Sequence, residues 1–208
     1  MTAGRLLGNL GLTLVLLTSA LIGVYAFLFQ AGVAGSPEFH ARFETRYVFA
    51  SMHVLGSGVA LLLGGMQFLT RLRTRVPALH RRLGQLYLLM ILVGGIGGLG
   101  LAPVAHGGLV ARVGFASLAL LWLVSAGRAW FAIRAGDVVL HRHWMLRNFA
   151  MTFAAVTLRL HLGLLQLAGF SFDEAYPLVA WLAWVPNLLL EEWWLGYRCH
   201  RDTLRAST

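Results

Sequence analysis

The sequence predicts an all-α polytopic membrane bundle of six transmembrane helices with both termini cytoplasmic. Three observations carry that expectation. Of the 208 residues, 58% are hydrophobic and 12% charged, and the mean hydropathy is +0.71. A soluble domain of this size needs far more polar surface, so the bilayer is the expected solvent and partner. Six apolar stretches reach the roughly 20 residues a helix needs to cross a hydrocarbon core of ~30 Å. The arginines between them fall on alternate loops, as the positive-inside rule asks.

The first span, about 6–30, is much longer than the apolar region of a cleaved signal peptide, so it reads as a retained helix. Spans at about 47–69, 83–104, 110–133, 143–168 and 174–197 follow, and residues 1–208 form one domain. Arg5, Arg71, Arg73, Arg75, Arg81, Arg82, Arg128, Arg134, Arg142, Arg198, Arg201 and Arg205 then share one side. The opposite loops are nearly neutral, with Glu38, Arg42, Glu44 and Arg46, then His106 and Arg112, then Asp173 and Glu174. All 17 basic residues are arginine, and the net charge of +9 orients the chain in lipid rather than marking a nucleic-acid partner. Lysine-free, Ala-, Leu- and Gly-rich usage suggests a bacterial inner membrane. The lone Cys199 excludes an intrachain disulfide and a CxxC zinc or redox pair.

Ionisable residues inside membrane spans are costly, so they are functional candidates by default. At about 1.5 Å per residue, position converts to depth. His53, Arg159 and His161 fall in one layer. His80, His141, His143, Arg147, Glu191 and Glu192 fall in a second layer near the arginine-rich side. At 100° per residue, His53, Ser57, Ala60, Gly64 and Gln67 share a face of the second span. On the third, His80, Gly84, Tyr87, Ile91, Gly94 and Gly98 align. On the fifth, His141, Met145, Asn148, Thr152 and Arg159 align, with His143, Arg147, Thr157 and His161 nearly opposite. Asn187 and Glu191 align beside Pro186, which kinks the sixth span.

Each signal has a packing alternative. The glycines from Gly94 to Gly100 either let two helices approach closely or form a floor for a flat ligand. Arg147 with Glu191 or Glu192 reads as a structural ion pair, and Asn187 as a structural polar group. Arg159 has no evident acidic partner, which favours a bound anion. Met145 beside His141, with Met52 and Met66 near His53, would suit copper, but methionine at helical spacing usually fills core. No Ser-His-Asp order, HExxH or acid pair assigns a catalytic residue.

The chain resembles the bacterial membrane proteins grouped as domain of unknown function 2306. The resemblance rests on His53 and the Gly-Ser-Gly-Val-Ala-Leu-Leu-Leu-Gly run, Gln67-Phe68, His80-Arg81, Gly84, Tyr87, Gly114-Phe115 and Trp122. It continues through His141-Arg142, Trp144-Met145, Arg147, the run from Thr152 to Leu160, Trp181, Trp184 to Leu188, and Glu191 or Glu192. It implies a multi-pass membrane protein and no established activity. The architecture also resembles six-helix b-type cytochromes, whose haems sit between paired axial histidines. That resemblance implies haem b held by His80 and His141 in one layer and His53 in the other. His161 would stand in as the partner of His53, because the fourth span has no histidine. Arg147 and Arg159 would face the propionates.

Three functions follow as expectations. The leading one is haem binding with transmembrane electron transfer. The second is a carrier or binding protein for a small anionic or amphipathic solute such as a quinone or lipid, anchored on Arg159. The third is a non-catalytic accessory subunit.

Overall fold

The computed structural model describes the backbone of residues 3–35 and 37–206, and the side chains of all of these except 3–7, 38, 39, 42 and 198–206. The charges expected of Arg5, Glu38, Arg42, Arg198, Arg201 and Arg205, and the lone Cys199, lie outside the described side chains. The helices are α1 (Ala3–Gln30), α2 (Pro37–Glu44), α3 (Tyr47–Met66), α4 (Thr70–Arg75) and α5 (Pro77–Leu101), which ends in a 3-10 turn. They continue as α6 (Gly108–Arg134), α7 (Val138–Thr152), α8 (Ala154–Leu167), α9 (Phe172–Leu182) and α10 (Val185–Ala206). Glycines with positive φ punctuate the turns: Gly32 and Gly35 after α1, Gly107 before α6, Gly136 before α7 and Gly169 after α8. Only glycine enters that region at no steric cost.

The chain is an all-α helical bundle with five candidate membrane-spanning helices among the described residues: Gly8–Gln30, Tyr47–Met66, Pro77–Val104, Gly108–Arg134 and Val138–Leu167. The first five expected spans match these within a few residues, except that the third and fifth start earlier. The stretch expected as a sixth span is divided. Helix α9 stops at Leu182, α10 starts at Val185, and Glu191 and Glu192 dilute the apolar run. Pro186 supplies no N–H, and Trp184 N–H turns to the Trp181 carbonyl. The Ala180 carbonyl takes the Trp184 indole N–H instead, at 2.9 Å.

The α5 glycines pack against α3. A Cβ on Gly56 would lie 2.6 Å from the Gly94 nitrogen, and one on Gly97 2.5 Å from the His53 nitrogen. The close-packing alternative therefore describes this seam, and α3 occupies the floor a flat ligand would need. Gly97→Ala is expected to cost about 1–3 kcal/mol through overpacking of backbone on backbone. Gly127→Ala, where a Cβ meets nothing within 4 Å, is expected to be neutral or to stabilise by about 0.5–1 kcal/mol. Unfolding followed by tryptophan fluorescence separates the two.

The fifth span is offset at Phe153, between α7 and α8. No proline or glycine marks the place. Helix α7 packs on α3, α6 and α10, whereas α8 packs on α9 and α1. One half of the span therefore fills the bundle, and the other half runs at its edge. The first half lies toward the arginine-rich end of the bundle and the second toward the neutral end.

Candidate functional site

The half filled by α7 is closed by a hydrogen-bonded plug. The aligned faces of the third and fifth spans meet, as expected from their 100° periodicity. Tyr87 and Asn148 are both 0% exposed. The Tyr87 hydroxyl donates to Asn148 Oδ1 at 2.7 Å. The Asn148 amide donates to the Trp122 carbonyl at 2.9 Å and to Ser125 Oγ at 2.7 Å. Trp122 Nε1–H donates to Thr152 Oγ1 at 2.9 Å. Thr152 Oγ1 also lies 2.8 Å from the Tyr87 hydroxyl and 3.0 Å from the Asn148 carbonyl. Every amide atom of Asn148 is used, which is the condition for a stabilising buried network.

A second polar group ties the two helix breaks together. Asn187 Nδ2 donates to the Ala150 and Ala183 carbonyls at 3.1 and 3.0 Å, and to Thr157 Oγ1 at 3.0 Å. Its donors are spent on contacts within the chain. Arg147 makes a two-pronged pair with Glu192 and stacks over the Trp144 ring at 5.0 Å. Glu191 lies within its electrostatic reach. Of the two expected partners, Glu192 holds the hydrogen bonds, so the guanidinium of Arg147 is engaged by protein.

Toward the neutral end the picture differs. Arg159 extends from α8 over the Tyr25 ring of α1, 5.1 Å from its centre. Its Nη1 donates to its own-helix carbonyl of Ala155 at 2.7 Å. His53 of α3 and Tyr176 of α9 lie within electrostatic reach. Arg159 thus contacts α1 and is electrostatically coupled to residues of α3 and α9, while its side chain remains exposed. The side chain sits in the half of the bundle from which α8 is displaced. Among the described residues Arg159 forms no ion pair.

His53 completes this cluster. Its ring rests on Gly98, and Nδ1 lies 2.9 Å from the Gly94 carbonyl. A carbonyl only accepts, so Nδ1 carries the proton, and in the neutral imidazole Nε2 is then the acceptor. Arg159 thus offers donors and positive charge, and His53 an acceptor. His161 lies two residues beyond Arg159, about 200° around α8. Arg159, not His161, is the α8 residue coupled to His53. Tyr25 and Tyr176 were not singled out by sequence; an aromatic in an apolar span carries no positional signal of its own.

His80 and His141 lie at the arginine-rich end and are electrostatically coupled. His141 Nδ1 donates to the Ala129 carbonyl at 2.8 Å. Among the described residues no three His, Cys, Asp or Glu side chains group as metal ligands.

A family described as "Predicted membrane protein (DUF2306)" matches residues 50–195. The chain belongs to this family. The DUF2306 match spans the plug, Arg159, His53 and the Arg147–Glu192 pair, and leaves α1 with Tyr25 outside. No curated protein and no solved structure matches the chain.

Proposed function

We propose that this protein binds or carries a small amphipathic anion in the cleft between α1, α3, α8 and α9. In this reading the chain has six spans, the divided α9–α10 pair being the sixth. Both termini face the cytoplasm of a bacterial inner membrane, and the cleft opens to the outside. The observation that carries the reading is Arg159: a guanidinium in a membrane span, stacked on Tyr25 and coupled to His53 and Tyr176, with no ion pair among the described residues. Such residues mark ligand pathways. An anionic oxygen fits the Arg159 donors, and a neighbouring hydroxyl on the ligand fits His53 Nε2. The apolar tail would leave through the α1–α8 seam into lipid. The Asn148 plug blocks the far half, and the two adjacent helix breaks suit a carrier that rearranges around a fixed site.

Native mass spectrometry of the detergent-purified chain tests this. An acidic adduct of defined mass is expected on the parent. A bare parent chain would leave the accessory-subunit reading as the better one.

A second reading is haem b at His80 and His141, supplying one-electron transfer. It is favoured by the His141 Nδ1–H bond, which orients Nε2 as a ligand nitrogen. The glycine face does not fit a porphyrin, because α3 fills it. His80 and His141 would have to hold the group near the helix ends. A Soret band after expression with added haem would support this reading, and a colourless protein would end it.

A further inference from the structure

We propose that the arginine-rich end of the bundle holds a second site, for a phosphate-type oxyanion, built from Gln67, His80 and His141. The site is independent of the Arg159 cleft.

Register brings the residues together. Helices α5 and α7 run the same way, and Tyr87 bonds Asn148 across 61 positions of sequence. His80 and His141 are separated by the same 61 positions, each seven residues before that pair. Seven residues are about two turns, so the two imidazoles reach one level on the facing sides. Helix α3 ends beside α5 and α7 on this side. Its Gly64 packs against Tyr87 and Phe149, and Gln67 follows one turn later. Gln67 Oε1 lies 3.5 Å from the point where a Cβ on Gly84 would sit, one turn from His80.

Among the described residues, two atoms there have no protein partner. Gln67 is only 9% exposed, and its Nε2 is buried without a hydrogen bond. His80 Nδ1 is buried and equally unbonded. Buried polar groups in native proteins are paired almost without exception, so such a pair of orphans asks for an occupant. The charges give its sign. His80 is coupled to Arg73 of α4, Arg81 of its own helix and His141 of α7. All are basic, and α3 contributes the neutral Gln67. An amide donor and an imidazole in a positive field accept an oxyanion, either a lipid headgroup phosphate or free phosphate.

The test uses the full chain in nanodiscs of a phosphate-free glycolipid, digalactosyldiacylglycerol. Inorganic phosphate is titrated against chloride, and a parallel set of discs contains phosphatidylglycerol. The readout is the thermal unfolding midpoint. A rise with phosphate identifies the free ion, and a rise with phosphatidylglycerol alone identifies the headgroup. Gln67→Leu is expected to fold, since Nε2 bonds nothing, and to weaken the response roughly tenfold or more. Gln67→Glu is expected to abolish it by charge. Arg159→Gln is expected to keep it, which separates this site from the cleft. A parent response unchanged in Gln67→Leu, or no response beyond chloride in either set, overturns the proposal.

Discussion

Arg159→Gln is expected to bind a carboxylate amphiphile such as dodecanoate roughly 10–100-fold more weakly than the parent, with the fold intact. The magnitude follows from losing a charge-assisted hydrogen bond worth about 1.5–3 kcal/mol, at about 1.4 kcal/mol per tenfold. The fold is expected to survive because Arg159 makes its hydrogen bond locally, to the Ala155 carbonyl of its own helix, and adds only a cation–π stack on Tyr25 of α1. Glutamine keeps much of the stem and one donor group but removes the charge. Arg159→Lys should retain part of the affinity, because a point charge replaces the planar fork. His53→Ala tests the acceptor separately. It should weaken a hydroxylated amphiphile more than a plain fatty acid, since only the former has a proton to give Nε2. Equilibrium titration by intrinsic fluorescence measures all four proteins. Equal affinity of Arg159→Gln and parent would remove Arg159 from the site.

The largest loss of stability is expected from Asn148→Ala. That change takes away three hydrogen bonds at a side chain with no exposure. The Tyr87 hydroxyl is left with Thr152 Oγ1 alone, the Trp122 carbonyl with the Ser125 hydroxyl alone, and Ser125 Oγ loses the Asn148 donor. Interhelical hydrogen bonds in membranes average only about 0.6 kcal/mol, because the unfolded state also finds partners. Stranded buried groups and the cavity add to this, giving about 2–4 kcal/mol in total. Tyr87→Phe removes one donor and keeps the ring, so about 1 kcal/mol is expected. Reversible unfolding in mixed micelles, read by tryptophan fluorescence, would rank them. A Tyr87→Phe loss as large as that of Asn148→Ala would contradict the network as drawn.

Much of this was legible before the structure. Apolar length found the first five spans, because the bilayer imposes one number on all of them. Helical periodicity put Tyr87 and Ile91 on one face, and Asn148 and Thr152 on another, and those faces do meet. Equal depth brought Arg147 to Glu192. Other features left no local signature. The offset at Phe153 has no proline or glycine, so the displacement of α8 comes from tertiary packing alone. Pro186 announced a kink, but hydropathy could not say that the last span would divide. Trp122 belongs to the family resemblance, but its role as partner of Asn148 and Thr152 depends on how α6 is rotated. The orphaned Gln67 amide is visible only when its neighbours are known to offer it nothing.

The most direct test of the central claim is an experimental structure of the chain in lipid with a bromine-labelled carboxylate amphiphile. The carboxylate is expected within hydrogen-bonding distance of the Arg159 guanidinium, beside His53, with the bromine in the seam between α1 and α8. A guanidinium paired with a protein carboxylate, or an amphiphile bound away from Arg159, would contradict it.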